Sequence, residues 1–327
     1  MDLMEELERR TEIIAPLLLS YLDRGEHQKL KRAVMHYPEA GGKRLRPVLA
    51  YLVADAISGS GERSLPFGCC LEIIHNFTLV HDDVMDQDPM RRGRQAVHVL
   101  YDTPTAIIAG DALFARAFEV LAETEVGPEE MRRLLKLVSI TVWRIAEGQQ
   151  MDIDFESREE VSTSEYLGMI EKKTAVLFSC AAEGGAIVAG GTEEQVDSMR
   201  EYARLLGISF QIWDDVLGIT ADQEDLGKPV GSDIRNGKRT LIVLHALENG
   251  SREQRSRLKE LLGSREASEE DVQEAIALLE EIGSIEYARK KALEYVERGR
   301  RCLDCLPPSD HREIMDELVI YSAKRKS

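Results

Sequence analysis

Apolar residues recur three and four positions apart along most of the chain, and polar residues fill the opposite face. That is the 3.6-residue period of helices with one buried side. It predicts helices over 3–22, 45–57, 71–85, 106–121, 131–145 and 203–216, then over 241–247, 272–282 and 285–303. Breakers fall between them: Gly41-Gly42, 58–61, Asp88-Pro89, Gly127-Pro128, Gly190-Gly191, 227–231 and Pro307-Pro308. Ser268 followed by Glu269, Glu270 and Asp271 reads as a helix start with acid in its first turn. Alternating runs of β-formers are missing, so the expected class is all-α. No low-complexity segment or linker interrupts the pattern, and 1–327 is expected to form a single domain.

Hydrophobic residues make up 43% of the chain and charged residues 31%, which is too apolar for a disordered polymer. Asp and Glu number 59 against 42 Lys and Arg, a formal charge of −17. That balance argues against a nucleic-acid partner, because neutralising phosphates needs a basic surface. An anionic substrate would have to be held by a local basic cluster or by bound cations. No window reaches the roughly 18 consecutive apolar residues of a membrane span. Residues 1–6 are acidic and lack the basic start of a signal peptide. Five irregularly spaced cysteines do not make a disulfide framework, so a cytoplasmic location is expected. Cys302 and Cys305 have C-x-x-C spacing without a second pair, and a structural role is expected for them.

Two acid pairs end apolar runs: Asp82-Asp83, with Asp86 four residues after Asp82, and much later Asp214-Asp215. Residues four apart share a helical face, so Asp82 and Asp86 project together. Carboxylates so placed repel one another unless a cation joins them, and hard oxygen donors suit magnesium bridged to phosphates. A solvated acidic helix end is the alternative for either pair taken alone. Basic residues follow each acid pair. Arg91, Arg92 and Arg94 come after the first, and Lys228 and Lys238 after the second. Upstream, Gly41-Gly42-Lys43-Arg44-Leu45-Arg46 combines glycines that admit a ligand near the backbone with side chains suited to phosphate. Acids and bases at matched range are what a metal-bridged diphosphate demands. Phe77 lies about 7 Å below Asp82 at 1.5 Å rise per residue, where it serves either as core packing or as the floor of an apolar shaft. No P-loop, dinucleotide fingerprint or nucleophile elbow is present.

Together these pieces resemble the trans-type polyprenyl diphosphate synthases over nearly the whole chain. The resemblance rests on 41–47, on Glu72 with His75, on Asp82–Asp86 with Arg91-Arg92-Gly93, and on Gly148-Gln149-Gln150-Met151-Asp152. It continues through Lys173-Thr174, Phe210-Gln211, Asp214-Asp215 and Gly227-Lys228. It implies antiparallel helices around a deep central cavity and a homodimer. The implied reaction is magnesium-assisted ionisation of an allylic diphosphate, attack by isopentenyl diphosphate, then loss of a proton. It makes Asp82, Asp86 and Asp214 the main ligands of three magnesium ions, with Asp83, Asp215 and Asp152 in support. Arg91, Lys173 and Lys228 would hold the allylic diphosphate, with Lys238 a further phosphate contact. Lys43, Arg46, His75 and Arg92 would bind isopentenyl diphosphate. Thr174 and Gln211 would stand beside the cation, and Gln149 would line the cavity. Gly218 occupies the position where the second motif often has a third Asp. Phe77 followed by Thr78, with only two residues between Asp83 and Asp86, resembles archaeal short-chain enzymes. Geranylgeranyl diphosphate is therefore the expected product, with farnesyl or mixed products, a terpene cyclase, or a non-catalytic partner subunit as alternatives.

Overall fold

The computed structural model describes residues 2–158, 160–221, 231–264 and 267–325. In chain order the helices are α1 (Leu3–Leu22), α2 (Gln28–Glu39), α3 (Leu45–Ser58), α4 (Leu65–Asp86), α5 (Val97–Leu100), α6 (Thr103–Leu121), α7 (Pro128–Ser157) and α8 (Thr163–Ile170). They continue with α9 (Val176–Val188), α10 (Glu193–Thr220), α11 (Ser232–Arg235), α12 (Leu241–Asn249), α13 (Arg252–Leu261), α14 (Glu269–Glu281), α15 (Ser284–Cys302) and α16 (Asp310–Tyr321). The only sheet among the described residues is a hairpin of β1 (Met90–Arg91) and β2 (Arg94–Gln95). The all-α expectation holds.

Some boundaries shift outward from the periodic run. α4 starts at Leu65 with Pro66 in its first turn, a position where the missing N–H costs nothing. α14 starts as its sequence suggests, with Ser268 and Asp271 closing a reciprocal capping box. The periodicity missed α5, α8, α9, α11, α13 and α16, and also α2, whose buried stripe Ala33, Val34, Met35 and Tyr37 sits among charged residues and ends at Pro38.

The chain forms two compact units. The first comprises Met1–Val142, Leu177–Arg200 and Leu303–Glu317, and the second Trp143–Val176, Glu201–Cys302 and Leu318–Ser327. In the first unit α3 is buried nearly all round, from Val48 to Ala54. Gly185 makes room for it, since a Cβ there would lie 2.5 Å from the Ala50 carbonyl oxygen. α4 and α6 pack in opposite directions: His81 Nε2 lies 3.1 Å from the Ile107 carbonyl oxygen, while Phe77 meets Phe114 at 5.4 Å between ring centroids. In the second unit Ser209 on α10 donates to the Ala292 carbonyl of α15 and accepts from Ser322, both at 3.1 Å. All five cysteines are free, and Cys69, Cys70 and Cys180 are buried.

Candidate active site

In the first unit α4 carries the first acid motif to its last turn. Asp82 and Asp86 are half-buried there, and no basic residue occupies that turn. A helix C-terminus already bears partial negative charge. Two carboxylates added to it make a place that favours a cation. Asp83 points elsewhere. It is fully buried and accepts from the Tyr37 hydroxyl and from Arg91, whose Nε stands 2.9 Å away. The Tyr37 oxygen in turn accepts from the Val97 N–H at 3.3 Å. Burial first, and Asp83 second, push the Tyr37 hydroxyl's pKa far above its ordinary value, so it stays a proton donor.

The hairpin turns through Arg92 (φ 52°) and Gly93 (φ 72°), a tight connection that presents Arg91 and Arg92 together. Arg92 lies across the glycine pair. It donates to the Gly41 carbonyl at 2.5 Å, and a Cβ on Gly42 would stand 3.2 Å from its guanidinium. Gly41 (φ 81°) and Gly42 (φ 132°) thus supply both a left-handed backbone and a close approach. Arg44 (φ 47°) is buried and pairs with buried Glu72 at 2.6 Å, which anchors the loop and leaves Lys43 exposed and Arg46 half-buried. The Arg46 guanidinium carbon sits 4.6 Å over the Phe178 ring. Burial and the charges of Arg46, Arg92, Arg91 and Arg44 hold His75 well below its ordinary pKa, so it is neutral. A neutral imidazole among guanidiniums is a setting that attracts an anion. Phe77 is half-buried, one turn below His81 and against Phe114, which itself meets Phe118 at 5.2 Å.

In the second unit α10 delivers the second acid motif, again with no basic residue in its last turn. The Asp214 side chain is 48% exposed and pairs with Arg325, whose own side chain is 2% exposed and stacks on Phe210 at 3.5 Å. Trp213 Nε1 donates to the Arg325 carbonyl at 2.9 Å. Asp215 is buried, accepting from the Tyr166 hydroxyl at 2.6 Å and from Gln211 Nε2 at 2.9 Å. Burial, then Asp233, lifts Asp215 to about 7, against the downward pull of Tyr166 and Gln211. Gln211 Oε1 accepts from Thr174 Oγ1 at 2.9 Å.

Lys173 and Thr174 sit on a π-helical turn, Glu171–Ala175, a widened turn of the kind that recurs at functional sites. Gly148 on α7 lets this turn come close: a Cβ there would lie 2.8 Å from the Lys173 Cα. Asp152, one turn further along α7, accepts from Lys173 Nζ at 2.6 Å and Lys238 Nζ at 3.0 Å. Lys238 also pairs with Glu156 at 2.9 Å. Burial alone would raise the Asp152 pKa, but the two ammonium groups outweigh it and hold the carboxyl below its ordinary value. Between Gly148 and Asp152, the buried Gln149 leaves both amide atoms without a hydrogen-bond partner. An unpaired buried polar group costs about 1–3 kcal/mol, so Gln149 awaits a ligand or water.

The structure therefore gathers Lys43, Arg46, His75, Arg91 and Arg92 near the first acid motif, and Asp152, Lys173, Lys238, Thr174 and Gln211 near the second. Asp83, Asp215 and Asp152, grouped by sequence with the metal ligands, already engage tyrosine, arginine, glutamine or lysine partners. Lys228 lies outside the described residues. Gly218 is buried, and a Cβ there would lie 3.4 Å from Asp233 Oδ2, so a carboxylate already stands beside the position of the missing acid. Sequence reasoning did not find Tyr37, Tyr166 or Arg325, because nothing local marks a partner 46, 49 or 111 residues away.

The chain's likenesses agree with this construction. A geranylgeranyl diphosphate synthase of Methanosarcina mazei is 40% identical over 326 residues, covering 100% of this chain and 99% of that protein. The crystal structure of geranylgeranyl pyrophosphate synthetase from Pyrococcus horikoshii superposes with a TM-score of 0.94 at 38% identity, covering 99% of this chain and 98% of that one. A polyprenyl synthase from Caulobacter crescentus, crystallised with calcium and isoprenyl diphosphate, gives 0.91 at 31% identity, covering 99% and 98%. The model of the polyprenyl synthetase family matches residues 27–279, and the chain belongs to that family.

Proposed function

We propose that this chain condenses isopentenyl diphosphate with allylic diphosphates and releases geranylgeranyl diphosphate as its main product. The observation that carries the reading is the end of α4. There Asp82 and Asp86 stand with no basic residue in the turn, and the following hairpin presents Arg91 and Arg92. Acid and guanidinium set side by side suit a diphosphate whose charge is shared between protein and metal.

The donor set fits magnesium. Among the described residues no three His, Cys, Asp or Glu side chains form a metal cage. Magnesium does not ask for one, since it takes one or two carboxylates and fills its octahedron with water and phosphate oxygens. Asp82 and Asp86 would hold it in the first unit, and Asp214 in the second. Bound there, it neutralises the charge that builds on the departing diphosphate. The Caulobacter relative's calcium and isoprenyl diphosphate support the same pairing of ion and ligand.

The chain's own groups divide the remaining work. Arg91, Lys173, Lys238 and Lys228 take the allylic diphosphate, with Lys173 and Lys238 held ready by Asp152. Lys43, Arg46, His75 and Arg92 take isopentenyl diphosphate, with His75 neutral and able to accept or donate. Gln149 turns its unpaired amide to the substrate. Thr174 and Gln211 face the allylic cation with oxygen atoms, and the apolar walls keep water from it. Phe77, braced by Phe114, ends the shaft and limits product length. Residues 1–327 act as one domain, since the family match runs through segments of both units. The exposed pair Ile107 and Ile108 on α6 suits a second copy of the chain, a homodimer. No helix among the described residues is long and apolar enough to cross a membrane.

The test offers purified protein, magnesium and isopentenyl diphosphate with dimethylallyl, geranyl or farnesyl diphosphate, and sizes the products by mass spectrometry. A dominant twenty-carbon alcohol after dephosphorylation is expected. A fifteen-carbon product moves the floor upward and overturns the geranylgeranyl assignment. Absence of condensation with every primer overturns the synthase reading in favour of a cyclase or partner subunit.

A further inference from the structure

In both units the second aspartate of the acid pair is tied in the same way. A buried tyrosine gives its proton to that aspartate, and the aspartate holds a side chain assigned to substrate. In the first unit the Val97 N–H fixes Tyr37, Tyr37 donates to Asp83, and Asp83 holds Arg91. In the second, Tyr166 donates to Asp215, and Asp215 holds Gln211.

Resting on the function proposed above, we infer that Tyr37 and Tyr166 are positioning residues. Each commits its aspartate to orienting a substrate-facing side chain. The second arm shows how far this reaches. In its ionised form the Asp215 carboxylate only accepts hydrogen bonds. With one Asp215 oxygen on the Tyr166 hydroxyl, the other takes the Gln211 NH2 group, so Gln211 must present its carbonyl oxygen on its far side. Thr174 spends its single hydroxyl hydrogen there, at 2.9 Å. The lone pairs of Thr174 are then the part left to face an electron-poor carbon. Were the Gln211 amide turned over, its NH2 would point at Thr174, and the threonine hydrogen would swing outward. That places positive polarity where a carbocation develops, which opposes the reaction. Tyr166 is 1% exposed and reaches no substrate, so its effect passes entirely through Asp215. In the first arm the side chain held is Arg91, a diphosphate ligand, so Tyr37 governs binding rather than the reacting carbon.

The two arms therefore differ in what they change. Tyr166→Phe keeps the ring and loses only the hydroxyl. It should lower kcat on the order of tenfold, the scale of one hydrogen bond to a charged group, and leave KM for the allylic diphosphate within about twofold. Tyr37→Phe should raise that KM by a similar factor, with the smaller change in kcat. In a Thr174→Val background, where no threonine hydroxyl remains to orient, Tyr166→Phe should change kcat by less than about twofold. A merely structural tyrosine would act by the same factor in both backgrounds, and that result overturns the inference. So does an unchanged kcat in Tyr166→Phe. Should Tyr166→Phe fail to fold, as judged by circular dichroism, Asp215→Asn takes its place. An asparagine accepts either orientation of the Gln211 amide, so the same fall in kcat is expected, and wild-type kcat would overturn the assignment. Condensation by the unaltered chain, measured first, separates failure of this inference from failure of the functional reading.

Discussion

Replacing Gly148 by alanine tests how the site in the second unit is held. The added Cβ would stand 2.8 Å from both the Lys173 Cα and the Lys172 carbonyl carbon, where an ordinary contact begins near 3.4 Å. The Lys173 backbone nitrogen would be closer still, and backbone cannot swing aside as a side chain does, so the π-turn bearing Lys173 and Thr174 must retreat by about 1 Å. Overpacking of this kind costs about 1–3 kcal/mol. Alanine in a helix interior returns about 1 kcal/mol over glycine. The two nearly offset, and the melting temperature should move by only a few degrees. Activity has no such compensation. Lys173 must meet Asp152 and, in the proposed function, the diphosphate, and Thr174 must meet Gln211, within tenths of an ångström. A misplacement near 1 Å costs on the order of 10²-fold in rate, so a fall in kcat of about 10- to 100-fold is expected. The assay follows isopentenyl diphosphate incorporation at saturating substrates, alongside a thermal melt. A folded variant with kcat within twofold of wild type would refute the claim that this crossing positions the turn.

Asp82→Ala, which removes a proposed metal ligand, should lower kcat by about 10²–10³-fold with little change in melting temperature, and magnesium titration should show weaker activation. Phe77→Ala should lengthen the product; since Phe114 remains beneath it at 5.4 Å, mass spectrometry should find one added five-carbon unit dominant rather than an open series. Glu72→Ala strands the Arg44 guanidinium, 1% exposed, in the interior, and should cost about 3–5 kcal/mol, read as a lowered denaturation midpoint. His75 has a folded pKa below its unfolded value near 6.5, so the stability it contributes is complete above that pH and declines as pH falls below it. Melts from pH 7.5 to 5 should show this decline, and His75→Gln should flatten it.

Much of this molecule is legible in one dimension. The spacing of apolar residues gives the helices because burying one face of a 3.6-residue repeat is the strongest local constraint on the chain. The acid pairs, the Gly41-Gly42 loop and Arg91-Arg92 announce themselves because chemistry needs them close in sequence. Seven helices escaped, α2, α5, α8, α9, α11, α13 and α16: charged residues obscure the narrow apolar stripe of α2, α5 and α11 are only four residues long, and the two-residue strands are too short to leave a pattern. The composition of the site was thus in the sequence, while the commitments of its members were not. That Asp83 serves Arg91, that Asp152 binds two lysines, and that Arg325 covers Asp214 depend on partners from distant segments. No periodicity encodes which carboxylate oxygens are already taken. Tertiary packing decides it, because a buried acid must find donors wherever the fold brings them, and here the fold brings Tyr37 and Tyr166.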